Sequence, residues 1–183
     1  IKNLIKVFKE IGININTVPV LDVLRKKSHK IIGNRSFSTN PSVVKFLGNY
    51  CVKNYKSNKM ATVIKHIPGH GCAKSDSHLV APKVNLNYND LKNFDFFPFK
   101  NNPSPFAMTA HIIYSKIDDQ NVATFSKKII SGIIRKKIGF KGILISDDIS
   151  MKALKYDLIT NAKKAILAGC NLVLYCSGNY KES

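Results

Sequence analysis

Gly142-Ile143-Leu144-Ile145-Ser146-Asp147-Asp148-Ile149 is the stretch on which the fold turns. A strand with one face in water alternates apolar and polar residues. This one runs almost continuously apolar and becomes polar only at its end, as a parallel strand covered on both faces does. The same texture recurs at Ile13–Val23, Ala61–Ile67, Phe106–Ile113 and Asn171–Cys176. Between these runs lie helical periodicities. Asn3–Glu10 stops near Gly12, and Ser42–Lys56 carries Val43, Phe46, Leu47 and Tyr50 at helical spacing. Ser126–Lys137 stops at Gly139, Thr160–Leu167 stops at Gly169, and a weaker helix over Asp90–Phe97 is broken by Pro98. This alternation predicts an α/β domain with a parallel sheet. A doubly wound sheet and a (β/α)8 barrel both remain open. No GxGxxG follows a strand, so a dinucleotide fold has no positive signal.

Composition narrows the class. The 183 residues are 44% hydrophobic, enough for a sizeable core, and hold no apolar run of membrane-spanning length. The net charge of +18 invites a nucleic-acid reading. The basic residues are nearly all Lys, with only Arg25, Arg35 and Arg135 as arginines. No basic run exceeds three residues, and no stacking aromatics are interleaved. Lys, Asn and Ile in this abundance fit an AT-rich genome filling exposed positions, and no nucleic-acid or membrane partner is expected. Cys51, Cys72, Cys170 and Cys176 show no CxxC spacing and read as reduced thiols. The chain starts at Ile1 inside an amphipathic pattern and ends just after a strand-like run, so both ends look cut from something larger.

Polar residues gather at the C-terminal ends of the strands: Asp22, Lys65 and His66, His111, then Asp147 and Asp148. Barrels and open α/β sheets both build their sites there. The acids can be enumerated. Glu10 lies on a surface helix and Glu182 at the end, so neither is a candidate catalyst. Asp90, Asp95, Asp118, Asp119 and Asp157 sit at helix starts or in loops, where capping explains them. That leaves Asp22, Asp76, Asp147 and Asp148. Side chains alternate along a strand, so one of Asp147 and Asp148 can enter a pocket while its neighbour points elsewhere. Asp147 then reads as a nucleophile or electrostatic stabiliser and Asp148 as a structural group. The alternative is that both cap the following turn.

Lys65-His66-Ile67-Pro68-Gly69-His70-Gly71 leads into a loop that contains Asp76-Ser77-His78. Pro68, Gly69 and Gly71 forbid the helix that an i,i+4 zinc pair of His66 and His70 would need. A loop site from His66, His70, Cys72 and His78 is the remaining metal reading, and no metal or cofactor is expected. Asp76 can accept the His78 N–H, fixing its tautomer and raising its basicity, which suits a proton shuttle. An Asx-turn beside a solvated histidine is the competing reading. Arg35, in Asn34-Arg35-Ser36-Phe37, reads equally as a binder of a substrate oxyanion or carboxylate or as a structural ion-pair partner of Asp22 or another acid.

In this order the segments resemble the β-N-acetylhexosaminidases of glycoside hydrolase family 3. The matching pieces are Pro19-Val20-Leu21-Asp22, Asn34-Arg35-Ser36-Phe37-Ser38, the Lys65–Gly71 run, Asp76-Ser77-His78, Met108-Thr109-Ala110-His111, and Gly139-Phe140-Lys141-Gly142 running into Ser146–Met151. The resemblance implies a (β/α)8 TIM-type barrel, incomplete here, with residues 1–183 forming one partial catalytic domain. It implies a retaining hydrolase with Asp147 as nucleophile and His78 as acid/base oriented by Asp76, a departure from the usual two carboxylates. Arg35, Lys65 and His66 look like the family's sugar-binding residues. The glycine-bearing loop would swing His78 over the sugar. The implied substrate is a terminal β-linked N-acetylglucosamine, in bacteria usually on muropeptides in the cytoplasm. A family 3 β-glucosidase and a non-catalytic basic binding protein are the alternatives. The first strands of the family's barrel, with a sugar-gripping carboxylate, and its last strands have no counterpart in this chain. Five strands cannot close eight positions, so the chain alone is expected to be poorly stable and weakly active or inactive.

Overall fold

The computed structural model describes residues 1–26, 29–75 and 80–182. Among these, strands β1 (Ile15–Asn16), β2 (Ala61–Ile67), β3 (Lys83–Val84), β4 (Phe106–Thr109), β5 (Ile113–Tyr114), β6 (Ile143–Asp148) and β7 (Leu172–Leu174) alternate with helices. The helices are α1 (Lys2–Glu10), α2 (Pro41–Ser57), α3 (Tyr88–Asn93), a π-wound helix Lys128–Ile138 and α4 (Leu158–Ala168).

The main sheet runs β1-β2-β4-β6-β7, parallel throughout. Its spatial order is chain order, with no reversal. A doubly wound sheet needs a reversal at its switch point, so this sheet is an arc of a (β/α)8-type barrel. Each strand is thus laid beside the last, and the helix between them covers the outer face. β3 and β5 pair separately as a short parallel ribbon.

The expected strands are found, three of them clearly shortened; Asn171–Cys176 keeps only Leu172–Leu174. Of Ile13–Val23 only Ile15–Asn16 forms a ladder. Pro19, which has no N–H, follows a cis Val18–Pro19 bond, and pairing resumes at a single Val20–Lys65 bridge. Of Phe106–Ile113 the main-sheet part stops at Thr109, because Ile113–Tyr114 leaves to pair with Lys83–Val84.

The core lies between this sheet and its helices. Ile64, Ile67, Ala107 and Leu144 from the strands meet Val44, Val52, Ile129, Ile130 and Ile134 from the helices. Each such side chain removed from water contributes roughly 1.5–3 kcal/mol. The α2 stripe proves to face the other way. Val44, Gly48, Cys51, Val52 and Tyr55 are buried, while Val43, Phe46 and Tyr50 are exposed. Gly48 explains the choice, because a Cβ there would overlap the Leu21 side chain and the helix can sit this close only without one. Helix Lys128–Ile138 starts where Ser126 Oγ accepts the Ile129 N–H (3.1 Å) and ends at Gly139 with φ +79°. No helix among the described residues is long and apolar enough to cross a membrane.

Candidate active site

Asp22 is the hub of the strand ends. It is fully buried, which for an ionised carboxyl demands partners. Its Oδ1 accepts the His70 N–H at 2.6 Å, and the His66 N–H lies 3.2 Å from both carboxylate oxygens. Its Oδ2 lies 2.7 Å from His66 Nδ1. Burial pushes the Asp22 pKa up. The His66 charge and hydrogen bond, with help from His70, more than offset this and hold it below the usual carboxylate range. The Lys65–His66 and Ile67–Pro68 peptide bonds are cis. The His66 and His70 rings meet edge to face, 5.5 Å between centroids. Burial drives the His70 pKa down to about 4, against the pull of Asp22.

Asp147 stands at the end of β6, two strands from β2. Its backbone N–H donates to Thr109 Oγ1 (3.3 Å) and its Oδ1 accepts the Asp148 N–H (2.9 Å). Burial raises its pKa, but His66, His111, the Asp148 N–H and His70 outweigh that and keep it lowered. Asp147 is therefore an ionised carboxylate at neutral pH, partly desolvated and not neutralised by an ion pair with Lys or Arg among the described residues. Asp148 is committed differently. Its carboxylate takes the Ser150 N–H (3.0 Å), the Ser150 hydroxyl (2.8 Å) and the Cys176 N–H (3.2 Å), tying the end of β6 to the chain beyond β7.

These groups border a cavity of about 340 Å³ lined by Arg35, Lys65, His66, His70, Met108 and Asp147, among others. Three hollows are larger, about 690 Å³ beside Arg25 and Lys26, about 610 Å³ beside Pro19 and Tyr50 and about 430 Å³ beside Cys72 and Lys83, but Asp147 lines none of them. Lys65 is half-buried, with Nζ 3.4 Å from Thr17 Oγ1. Burial lowers its pKa, while Asp147 pulls the other way.

Of the residues singled out in the sequence, Arg35, Lys65, His66 and Asp147 come together around this one cavity. Arg35 does not pair with Asp22, whose oxygens are taken by His66 and His70. Its guanidinium instead donates to the Ile31 carbonyl (2.8 Å). Asp76 and His78 lie outside the described residues. The chain leading to them is anchored: Tyr114 Oη donates to the Gly69 carbonyl (2.6 Å) and the His29 N–H to the Ala73 carbonyl (2.8 Å). No group of three or more His, Cys, Asp or Glu among the described residues could hold a metal ion. Cys51, Cys72 and Cys170 are buried free thiols, whereas Cys176, read as part of a buried strand, is exposed at the cavity.

The sequence model of the glycosyl hydrolase family 3 N-terminal domain matches residues 5–182. The chain belongs to glycosyl hydrolase family 3. Among curated relatives, this family 3 chain is 38% identical to a β-hexosaminidase of Nitrosomonas eutropha, over 92% of its own length and 49% of the relative's. It is 36% identical to one from Bordetella avium, over 91% and 48%. The chain thus spans about half the length of the curated relatives it matches. Among solved structures, a family 3 β-N-acetylglucosaminidase from Paenibacillus superposes with a TM-score of 0.88 at 30% identity, over 92% of this chain and 33% of that one. NagZ from Neisseria gonorrhoeae, in complex with N-trifluoroacetyl-D-glucosamine, does so at 0.85 and 34%, over 95% and 51%.

Sequence reasoning missed part of this family 3 site. Thr124 carries no chemical signature and Thr109 entered only inside the Met108–His111 segment, with no role; their position around Asp147 is what gives them one. His70 entered only as a doubtful metal ligand. Its backbone N–H, invisible to any side-chain motif, is what secures Asp22.

Proposed function

We propose that the protein carrying this chain is a retaining β-N-acetylhexosaminidase that removes terminal β-linked N-acetylglucosamine, from muropeptides in the cytoplasm. The observation that carries the reading is the Asp147 carboxylate, held ionised at a strand end on a cavity it shares with Lys65, His66 and Arg35. The curated relatives named β-hexosaminidases support the same reaction class.

In the first step an Asp147 oxygen attacks the anomeric carbon and forms the glycosyl ester. The bond to the aglycone oxygen breaks, and His78, oriented by Asp76, gives that oxygen its proton. In the second step water attacks the same carbon and gives its proton to His78, and Asp147 leaves as carboxylate. Lys65, His66 and Arg35 supply donors to the sugar, and Asp22 fixes His66 from behind. A lowered Asp147 pKa suits a nucleophile that must be anionic before the substrate arrives.

The test is hydrolysis of an aryl β-N-acetylglucosaminide by the whole protein and its Asp147→Asn variant. The expected loss in kcat is roughly 10⁴-fold. Wild-type protein without turnover, or a variant with wild-type rates, would sink the reading.

A further inference from the structure

Behind Asp147 runs a chain of buried polar groups that the reaction itself does not use. Thr109 Oγ1 lies 2.9 Å from Thr124 Oγ1, and Thr124 Oγ1 lies 2.8 Å from His111 Nδ1. His111 Nε2 lies 3.0 Å from the Asp148 carbonyl oxygen. Thr109, His111 and Thr124 are all fully buried. Groups so placed are costly unless their hydrogen bonds are complete, so the protons can be assigned by exclusion.

A carbonyl oxygen only accepts, so His111 Nε2 carries a hydrogen. Burial pushes the His111 pKa down against the pull of Asp147, so the ring is neutral at neutral pH and Nδ1 is an acceptor. The hydrogen it accepts belongs to Thr124. Thr124 Oγ1 then receives the Thr109 hydroxyl hydrogen, and Thr109 Oγ1 in turn receives the Asp147 N–H at 3.3 Å. The Ala110 carbonyl, 3.2 Å from Thr124 Oγ1, is the longer and weaker competitor for the Thr124 hydrogen. The run begins on the Asp147 N–H and ends on the Asp148 C=O, so it grips the backbone of the reacting residue on one side and of its next neighbour on the other.

We propose that His111, Thr124 and Thr109 are positioning residues for Asp147, a one-directional hydrogen-bond clamp that sets the height and angle at which its carboxylate meets the anomeric carbon. This rests on the reading of Asp147 as the nucleophile. None of the three lines the cavity. Their loss should therefore leave ground-state sugar binding in place and weaken the transition state, which depends on reacting atoms being held to fractions of an ångström.

The experiment compares Thr124→Val with Thr124→Ser, and His111→Gln with His111→Asn, in the whole protein on an aryl β-N-acetylglucosaminide. Thr124→Val keeps the shape and removes the relay. It should lower kcat about ten-fold or more with KM within about two-fold, and Thr124→Ser should restore most of kcat. His111→Gln keeps a donor for the Asp148 carbonyl and should outperform His111→Asn. Nitrogen-15 shifts of the wild-type imidazole should show the Nε2–H tautomer at neutral pH. If Thr124→Val fails to fold, the His111 pair and the tautomer decide. A wild-type kcat in Thr124→Val or in both His111 variants, or the Nδ1–H tautomer, overturns the clamp while leaving Asp147 its role. An Asp147→Asn variant with wild-type turnover overturns that role and the clamp together.

Discussion

His66 Nδ1 sits 2.7 Å from Asp22 Oδ2, and the same carboxylate also takes the backbone N–H groups of His66 and His70. One buried acid thus orients an imidazole and the chain that continues into the Pro68–Gly71 turn. Asp22→Asn would replace an oxygen by an NH₂ that faces other donors. The expected cost is about 1–3 kcal/mol of stability, as for leaving buried hydrogen-bonding groups unsatisfied. KM should rise as well, because His66 loses its anchor. Urea denaturation and steady-state kinetics on the same preparation measure both.

His70 sets an acid limit. Its folded pKa is about 4, against an ordinary 6.5. Between these values the unfolded chain binds the proton that the folded site refuses, so stability falls as pH drops through that window. The gap corresponds to roughly 3 kcal/mol at most. Asp22 and Asp147, with lowered pKa values, add stability that is present above about 4 and is lost only below it. Urea midpoints from pH 7 to 4 should therefore fall in wild type and fall less in His70→Asn, which keeps the backbone N–H to Asp22.

Replacing His78 by Ala should slow the first step of hydrolysis in proportion to leaving-group pKa. The kcat/KM on dinitrophenyl substrates should barely change, and that on alkyl aglycones should drop by about 10²–10⁴-fold. A flat dependence across leaving groups would remove His78 from the acid/base role.

Gly48 and Gly132 make a matched pair. A Cβ at Gly48 would overlap Leu21, whereas one at Gly132 meets nothing within 4 Å. Gly48→Ala should cost about 1–3 kcal/mol through overpacking. Gly132→Ala, inside helix Lys128–Ile138, should add about 0.5–1 kcal/mol. Thermal unfolding of the two variants reads the opposite signs directly.

Much of this is legible in the residues themselves. The apolar runs ending in Asp22, Lys65-His66 and Asp147 announce parallel strands with polar tips, because period and composition act locally; of these three, only the Ala61–Ile67 strand is buried along most of its length. The order of the sheet is not legible, since a βαβ rhythm suits both windings until the pairing of β2 with β4 and β4 with β6 is seen. The α2 stripe misleads because Val43, Phe46 and Tyr50 satisfy the same periodicity as the buried face. Gly48, the residue that lets the helix approach, is read by periodicity as a gap. Arg35 is offered to Asp22 by charge alone, yet two backbone N–H groups take that place. The Thr109–Thr124–His111 run is compact in the chain, but its links to Asp147 and Asp148 cross to another strand through undistinguished hydroxyls, and no periodicity encodes them.

Strands laid down in chain order have an evolutionary meaning. Each βα unit brings one group to the rim, Asp22 from the first, Lys65 and His66 from the second, Asp147 from a later one, and each carries its own loop. A loop can then lengthen or change character without disturbing the neighbouring unit's contribution, as barrel enzymes permit. In a glycosidase of the proposed kind, aglycone preference can drift one connection at a time while the carboxylate and its supports stay put.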